Sequence, residues 1–334
     1  MQHSKESQSN IIDRRLSVAP MLDWTDRYCR YFLRLISKHA VLYTEMVTTG
    51  AILHGNRERF LDFDPSEHPV ALQLGGSDPK ELAECGKLGE AWGYDEINLN
   101  VGCPSDKVQS GRFGACLMMT PQLVADCVKA MKERVDIDIT VKHRIGVDDR
   151  DSYAELCDFI GTISQAGCNT FIVHARKAWL QGLSPKENRE IPPLSYETVH
   201  RLKQDFPQLE FIINGGITSL EQAQQQLQWV DGVMIGREAY HNPWILADAD
   251  QLIFGVTQPV MDRHQIVEAL IPYVEKELAQ GTPLNRITRH ILGLFHGRPG
   301  AKQWRRMISE ESHKAGTDCQ LIIQAAVQVI REPV

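Results

Sequence analysis

Several features that define common protein classes are missing from this 334-residue sequence. Its eight cysteines form no C-x-x-C pair, which argues against a zinc site or a redox dithiol. No apolar run approaches the length of about 20 residues that a membrane-spanning helix needs. Residues 1–15 are polar and lack the apolar core of a secretion signal, so they predict a flexible tail. We therefore expect a cytoplasmic protein with reduced thiols, without a metal site and without a membrane segment.

The composition is that of an ordinary globular protein, with 43% hydrophobic and 24% charged residues. The length suits one barrel-sized unit with a smaller addition. The net charge of −7 argues against indiscriminate binding of nucleic acid. The charge is uneven, however, because residues 251–334 contain 10 Lys/Arg against 8 Asp/Glu. Residues 286–306 contain six basic side chains and no acidic one.

Short apolar runs of strand type alternate with helical patterns over the first three quarters of the chain. This alternation is typical of a parallel sheet, and a count of eight strands favours a closed (β/α)8 TIM barrel. A doubly wound open sheet is the alternative, but no glycine-rich fingerprint follows the first strand. The predicted strands are residues 16–20, 41–45, 70–74, 96–100, 139–142, 170–174, 210–213 and 232–235.

After about residue 245 the strand patterns stop and helical periodicity continues to the end. It predicts helices over residues 263–279, 283–295 and 303–330, in addition to helices near 26–37 and 121–134 within the barrel. The expected domains are a tail over 1–15, a TIM barrel over 16–245 and a small helical domain over 246–334.

Residues that a plain core would not contain lie at or just after the carboxyl ends of the predicted strands. In a barrel such residues meet at one mouth, where catalytic and binding groups gather. They are Pro20, Met21, Glu45, Gln73, Asn100, Cys103, Lys142, His174, Asn214, Gly215, Gly216, Gly236 and Arg237.

Two glycine-containing motifs among these residues predict a phosphate site. Asn214-Gly215-Gly216 and Gly236-Arg237 follow the seventh and eighth predicted strands, whose loops commonly bind phosphate in barrels. Thr218 is the expected N-cap of the next helix, and Arg237 would add a bidentate partner. The plainer alternative is that the glycines only form turns.

Lys142, His174 and Gln73 at one mouth suit flavin mononucleotide (FMN). An inward lysine is costly unless it meets an anion, and here it would stabilise the reduced ring, while Gln73 would contact its polar edge. A lysine that forms a Schiff base is the competing interpretation. Cys103 lies on a loop just past the end of a strand and is followed by Pro104, which prevents the strand from continuing. A thiol in this position can act as a general acid. The alternative is that Cys103 is only a small buried apolar residue, which is the commoner role of cysteine in proteins.

The sequence resembles the tRNA-dihydrouridine synthase family over nearly its whole length. The resemblance rests on Asn98-Leu99-Asn100-Val101-Gly102-Cys103-Pro104 above all, with Ala19-Pro20-Met21, Lys142-His143-Arg144, His174-Ala175-Arg176 and the two glycine motifs. The stretches 177–189 and 296–302 are similar to the bacterial A subfamily, which modifies uridines 20 and 20a of the tRNA D-loop.

The resemblance implies that NADPH reduces FMN, which passes hydride to C6 of uracil while Cys103 protonates C5. It also implies a list of FMN contacts: Ala19, Pro20, Met21, Gln73, Lys142, His174, Asn214, Gly215, Gly216, Gly236 and Arg237. An FMN barrel acting on a small molecule, of the dihydroorotate dehydrogenase type, is one alternative. A Schiff-base lyase that uses Lys142 is another.

With tRNA as the implied partner, the basic stretch acquires a function. Lys302 and Arg305 would contact tRNA phosphates, Lys186 and Arg189 would contact tRNA beside the mouth, and Asn100 would contact the extruded nucleotide. Trp304 is available for packing or stacking. No obligate protein partner is predicted.

Overall fold

The computed structural model describes residues 12–257 and 259–331. Nine parallel-paired strands lie within these residues: β1 (Leu16–Val18), β2 (Val41–Tyr43), β3 (Val47–Thr48), β4 (Val70–Gly75), β5 (Glu96–Val101), β6 (Asp138–Arg144), β7 (Thr170–His174), β8 (Glu210–Asn214) and β9 (Gly232–Ile235).

The strands close on themselves. β1 pairs with both β2 and β9, β2 pairs with β4, and each later strand pairs with the next one along the chain. The two-residue β3 pairs only with β4, beyond the end of β2, so it extends one edge and does not enter the ring. The eight remaining strands form the predicted (β/α)8 TIM barrel, which is confirmed.

Fifteen α-helices cover the barrel and form the region that follows it: α1 (Arg27–Ile36), α2 (Thr49–His54), α3 (Arg57–Leu61), α4 (Pro79–Trp92), α5 (Asp106–Ser110), α6 (Pro121–Lys132), α7 (Tyr153–Gln165), α8 (Tyr196–Asp205), α9 (Leu220–Gln226), α10 (Arg237–His241), α11 (Ala249–Leu252), α12 (Arg263–Ala279), α13 (Leu284–Thr288), α14 (Ala301–Glu311) and α15 (Gln320–Ala326). This count refers to the described residues. Several helices start at side-chain caps that the sequence supplies, such as Asp26 before α1 and Ser152 before α7.

The amino-terminal end of the barrel is closed by Arg14. Its side chain is 5% exposed and forms ion pairs with Glu96 (2.7 Å), Asp138 (2.6 Å) and Glu210 (3.2 Å). A buried guanidinium needs such partners, because burial of an unpaired charge is very costly. The expected tail over residues 1–15 is therefore wrong at its end, since Arg14 belongs to the barrel. Residues 1–11 of that tail lie outside the described residues.

Two of the predicted helices in the last part of the chain are wrong in extent. The helix predicted over 283–295 is only α13, which ends at Thr288, and turns follow it. In these turns a Cβ on Gly293 would lie 2.4 Å from the His241 carbonyl oxygen, so a side chain would obstruct the approach of the two segments. The helix predicted over 303–330 is divided into α14 and α15 around Gly316, whose φ of +78° lies in the left-handed region. The helix over 263–279 matches α12.

Candidate active site

A ladder of carboxamides lines the barrel below its mouth, on the carboxyl-terminal halves of β4 and β5. The Gln73 Nε2 donates to Asn98 Oδ1 at 2.8 Å, and Asn100 Nδ2 donates to Gln73 Oε1 at 2.9 Å. Asn98 Nδ2 in turn donates to the Thr140 hydroxyl at 2.8 Å. Because these side chains fix each other, Gln73 and Asn100 are presented in one orientation each.

Cys103 lies on a loop that Asn100 holds in place. The Asn100 Oδ1 accepts hydrogen bonds from the amides of Gly102 (3.1 Å) and Cys103 (3.0 Å). The Cys103 carbonyl accepts from Ala115 N at 2.9 Å, beside Gly114, where a Cβ would lie 2.5 Å from the Cys103 carbonyl oxygen. The thiol is partly exposed, as the loop interpretation of Cys103 requires.

Lys142 extends into the mouth from β6. Its Nζ donates to Asn214 Oδ1 at 3.1 Å, and Asn214 Nδ2 donates to the Met234 carbonyl at 2.8 Å. Burial, together with repulsion from Arg144, lowers the pKa of Lys142 to about 7. Within the described residues this ammonium has a neutral oxygen as its partner and no carboxylate, so an anionic ligand would restore its charge.

Arg144 ties two loops of the mouth together. Its Nε donates to the Gly102 carbonyl at 2.9 Å, while Nη1 donates to the carbonyls of Lys177 and Asn188, both at 3.0 Å. The buried Asn188 amide itself bonds to the backbone of Trp179. The sequence motif contains Arg144, but sequence reasoning assigned it no role, since its partners lie 33 to 44 residues away.

His174 is surrounded by positive charge. Its burial, followed by repulsion from Arg144, Lys142, Arg176 and Arg189, holds the pKa of the imidazole well below its usual range. His174 is thus neutral at physiological pH, with an anion-seeking cluster around it. His143, which lies between Lys142 and Arg144 in sequence, is buried outside the mouth. Its ring centroid is 5.0 Å from that of Phe159.

The glycine pair after β8 is required by its neighbours. Gly215 has a φ of +115°, and a Cβ there would lie 2.8 Å from His174 Cδ2. A Cβ on Gly216, whose φ is +73°, would lie 2.5 Å from Leu194 Cδ1. The predicted N-cap at Thr218 is wrong, because Ser219 caps α9 by accepting from Gln222 N.

The predicted phosphate partner Arg237 is engaged with another side chain. Its Nη1 pairs with Glu190 at 2.6 Å, and both side chains are partly exposed. Arg176, which sequence reasoning gave no role, reaches the Glu190 and Pro192 carbonyls beside it. The Nε of Arg176 is buried and has no hydrogen-bond partner in the described residues. Such an atom can still bind an anion.

The motif after β1 borders the same end of the mouth. Ala19 is buried and its amide donates to the Ile235 carbonyl at 2.8 Å, which places it beside Gly236. A Cβ built on Gly236 would meet only the Ala19 side chain, at 3.8 Å, so the space above this glycine is open. Pro20 and Met21 are partly exposed at the rim.

The predicted tRNA contacts fall into two exposed groups. Lys186 and Arg189 are exposed on the loop after β7. Lys302 and Arg305 are exposed on α14. Trp304 is fully buried and donates to the Ile291 carbonyl at 3.2 Å, so it packs and is not available for stacking on RNA.

The donor set of the mouth fits a flavin phosphate or another anion. Lys142, Arg144, Arg176 and Arg189 supply charge, the open backbone at Gly236 permits close approach, and Gln73 and His174 offer neutral polar edges. Over residues 12–257 and 259–331 no three His, Cys, Asp or Glu side chains converge on a metal position. In the same part of the chain no helix is long and apolar enough to cross a bilayer.

Comparison with known proteins agrees with this geometry. Curated relatives named tRNA-dihydrouridine(20/20a) synthase include those of Salmonella typhi (64% identical; 96% of this chain and 97% of the relative), Escherichia coli K12 (65%; 93% and 90%) and Shewanella oneidensis (62%; 95% and 94%).

Among solved structures, a 2-naphthoyl-CoA reductase complex shares the fold with a TM-score of 0.55 at 9% identity. The match covers 71% of this chain and half of that one. The sequence model of the family described as dihydrouridine synthase matches residues 17–331. The chain therefore belongs to the dihydrouridine synthase family.

Proposed function

We propose that this chain reduces uridines 20 and 20a of the tRNA D-loop to 5,6-dihydrouridine, with FMN as bound cofactor and NADPH as reductant. The observation that carries the proposal is the Cys103 thiol, held by Asn100 at the edge of a mouth lined with cations. The names of the curated relatives, at 61–65% identity over nearly the whole chain, support the substrate and both positions.

Several side chains of the mouth retain hydrogen-bond donors that FMN would use. Arg176 and Arg237, with the backbone after β8 and β9, would receive the phosphate, although Arg237 must share its guanidinium with Glu190. Gln73 uses one amide hydrogen on Asn98 and retains a second for the polar edge of the ring. Lys142 retains two of its three N–H groups for negative charge on the ring.

When bound, the flavin supplies the hydride that C6 of uracil receives. Cys103 then delivers its proton to C5, so hydride and proton together saturate the C5–C6 bond. A thiol held within reach of C5 can act as a general acid. The neighbouring cations, Lys142 and Arg189 among them, stabilise the thiolate that remains.

A uracil in folded tRNA reaches this thiol only after it leaves the base stack. Extrusion costs a few kcal/mol, which contacts within the mouth and along the RNA backbone must offset. Asn100 borders the position of the extruded nucleotide, and Lys186 and Arg189 lie on the loop beside it. On α14, Lys302 and Arg305 offer exposed charge for phosphates farther along the tRNA.

The proposal places the reaction in the cytoplasm. All eight cysteines, Cys103 included, are free thiols, as a reducing compartment maintains them. tRNA as partner accounts for a local basic surface on a chain whose net charge is −7.

The experiment uses unmodified tRNA transcripts and the purified protein. The protein should carry a yellow chromophore that mass spectrometry identifies as FMN and that NADPH bleaches. Mass mapping should then find dihydrouridine at positions 20 and 20a, and none in a matched transcript with cytidine at both positions. A colourless protein would contradict the cofactor, and faster flavin oxidation by dihydroorotate-type or enone compounds than by tRNA would contradict the substrate.

A further inference from the structure

The loop after β1 is a rigid turn at the rim of the mouth. The amides of Trp24 and Thr25 both donate to the Met21 carbonyl, at 3.1 and 2.9 Å, and the Met21 amide donates to the Thr25 hydroxyl at 2.9 Å. These bonds satisfy the backbone locally, so the turn keeps its shape without support from a ligand.

Asp23 in this turn has a backbone conformation that non-glycine residues rarely adopt. Its φ is +65°, and its amide donates to the carboxylate of Glu45, on the loop after β2. Strained residues of this kind persist only where surrounding contacts hold them, and they cluster at functional sites. The residue before it, Leu22, is 66% exposed on this turn.

A single exposed leucine is common on protein surfaces and decides nothing by itself. The location of this one is informative. Trp24 stacks on Tyr240 with ring centroids 4.4 Å apart, and the Tyr240 hydroxyl lies 3.2 Å from His290 Nδ1 of the helical region. Through Tyr240 the turn therefore contacts the segment between α13 and α14, and Ile291 of that segment bonds to Trp304 on α14, the helix that carries the exposed Lys302 and Arg305.

An RNA that reached from the mouth to α14 along this side of the protein would pass over the turn. The uridine that enters the mouth leaves a gap in the stack of the D-loop, and RNA bases next to such a gap expose apolar faces. Proteins that unstack nucleic acids commonly fill the gap with a leucine, phenylalanine or methionine. Leu22 has the chemistry, the exposure and the rigid support for this role.

We propose that Leu22 is a wedge that enters the D-loop stack and occupies the space of the extruded uridine. The inference rests on the proposed function and deepens it, because it names the residue that stabilises the extruded state. Leu22 is in this account a positioning residue, since it contacts the RNA beside the reacting base and transfers no proton or hydride.

The test compares Leu22→Ala with Leu22→Phe, in full-length protein loaded with flavin. At saturating tRNA, Leu22→Ala should form dihydrouridine about ten-fold more slowly, because the stack loses its replacement partner, while Leu22→Phe should retain most of the rate. The dissociation constant for tRNA should change little, since phosphate contacts dominate affinity. Reduction of the flavin by NADPH should be unaffected.

A spectroscopic readout separates a wedge from a general defect. With 2-aminopurine beside uridine 20, unstacking raises the fluorescence when wild-type protein binds, and this rise should be smaller with Leu22→Ala. Leu252→Ala is the matched control, because Leu252 is 45% exposed near the opposite end of the barrel, where the adjacent Ile253 carbonyl accepts from Arg15. It should leave rate and fluorescence unchanged.

Two results would overturn the inference while leaving the proposed function intact. One is an unchanged rate of dihydrouridine formation in Leu22→Ala. The other is a slower rate with the full rise in fluorescence, which would mean that the base is extruded normally. Wild-type protein that forms no dihydrouridine in any tRNA would instead overturn the proposed function and the inference with it.

Discussion

The side-chain oxygen of Asn100 accepts a hydrogen bond from the amide of Cys103, 3.0 Å away. The same oxygen accepts from Gly102, while the amide nitrogen of Asn100 donates to Gln73. One carboxamide thus joins the thiol loop to the floor of the mouth. Since a general acid must be within hydrogen-bond reach of its target, this arrangement gives Cys103 the positional control that its proposed role needs.

Replacement of Cys103 by alanine should separate the two halves of the reaction. Flavin reduction by NADPH should proceed normally, whereas oxidation of the reduced flavin by tRNA should slow by ~10²–10⁴, the usual effect of a general acid. Stopped-flow absorbance measures both steps. Cys116→Ala is the control. Cys116 carries a partly exposed thiol on the segment that follows the same loop, and its replacement should leave both steps as in wild type. Normal oxidation by tRNA in Cys103→Ala would exclude the thiol as donor.

Arg144→Lys should loosen the mouth, because an ammonium cannot reach the three carbonyls that the guanidinium bonds. We expect the free energy of unfolding to fall by roughly 2–4 kcal/mol, given the worth of hydrogen bonds to charged groups. Hydrogen exchange should accelerate in residues 102–114 and 177–190. Arg150→Lys, at an exposed ion pair with Glu155, should change stability by less than about 1 kcal/mol. Equal effects of the two substitutions would contradict the interpretation.

Binding of the reduced, anionic form of the proposed flavin should weaken as pH rises, because of Lys142. Burial lowers its pKa to about 7, so the ligand-free protein carries this charge below that pH and loses it above. An anion binds the charged form, and its affinity should therefore fall by up to about ten-fold per pH unit above pH 7. Anaerobic titration of the flavin-free protein with reduced FMN, followed by protein fluorescence between pH 6 and 9, measures the slope, which Lys142→Met should remove. A slope that persists in the variant would assign the titration to another group.

Gly215→Ala should damage the proposed phosphate-binding end of the mouth and displace the adjacent His174. The φ of +115° disfavours any side chain, and the new Cβ would lie 2.8 Å from His174, which must move. We expect a loss of about 1–3 kcal/mol in unfolding free energy and a protein purified without flavin colour. Gly161→Ala within α7, where a Cβ meets nothing within 4 Å, should instead stabilise by about 0.5–1 kcal/mol. Retained flavin in Gly215→Ala would place the cofactor elsewhere.

The barrel could be predicted because its strands depend on local patterns. The apolar runs over residues 170–174 and 232–235 predicted β7 and β9 with their observed bounds. The residues at the carboxyl ends of the strands meet at one mouth, as parallel pairing in a closed barrel requires. The late helices were predicted too long because tertiary contacts end them. Gly293 must approach the His241 carbonyl, and no periodicity within 283–295 contains that information.

The parts of the site that sequence reasoning missed are all held by distant partners. Arg144 and Arg176 bond to carbonyls on loops far along the chain, and carbonyls leave no trace in residue identity. Arg237 was expected to face a phosphate, yet its nearest partner is Glu190, 47 residues before it. A charged residue at a strand end can thus be located from sequence, whereas its partner cannot.

The basic surface contains residues that sequence alone treated alike and that the structure divides. Arg289 belongs to the acid-free stretch but pairs with Asp26 at 2.9 Å, whereas Lys302 and Arg305 are exposed and have no ion pair within the described residues.

Lys302→Ala and Arg305→Ala should each weaken tRNA binding and reduce the slope of log affinity against log salt by up to about one, since each releases one fewer counterion. Arg289→Ala should chiefly lower stability, because Asp26 then loses a partner between α1 and the helical region. Filter binding at several salt concentrations between about 50 and 300 mM measures such slopes. If Lys302→Ala and Arg305→Ala keep the wild-type slope, the tRNA lies on another surface.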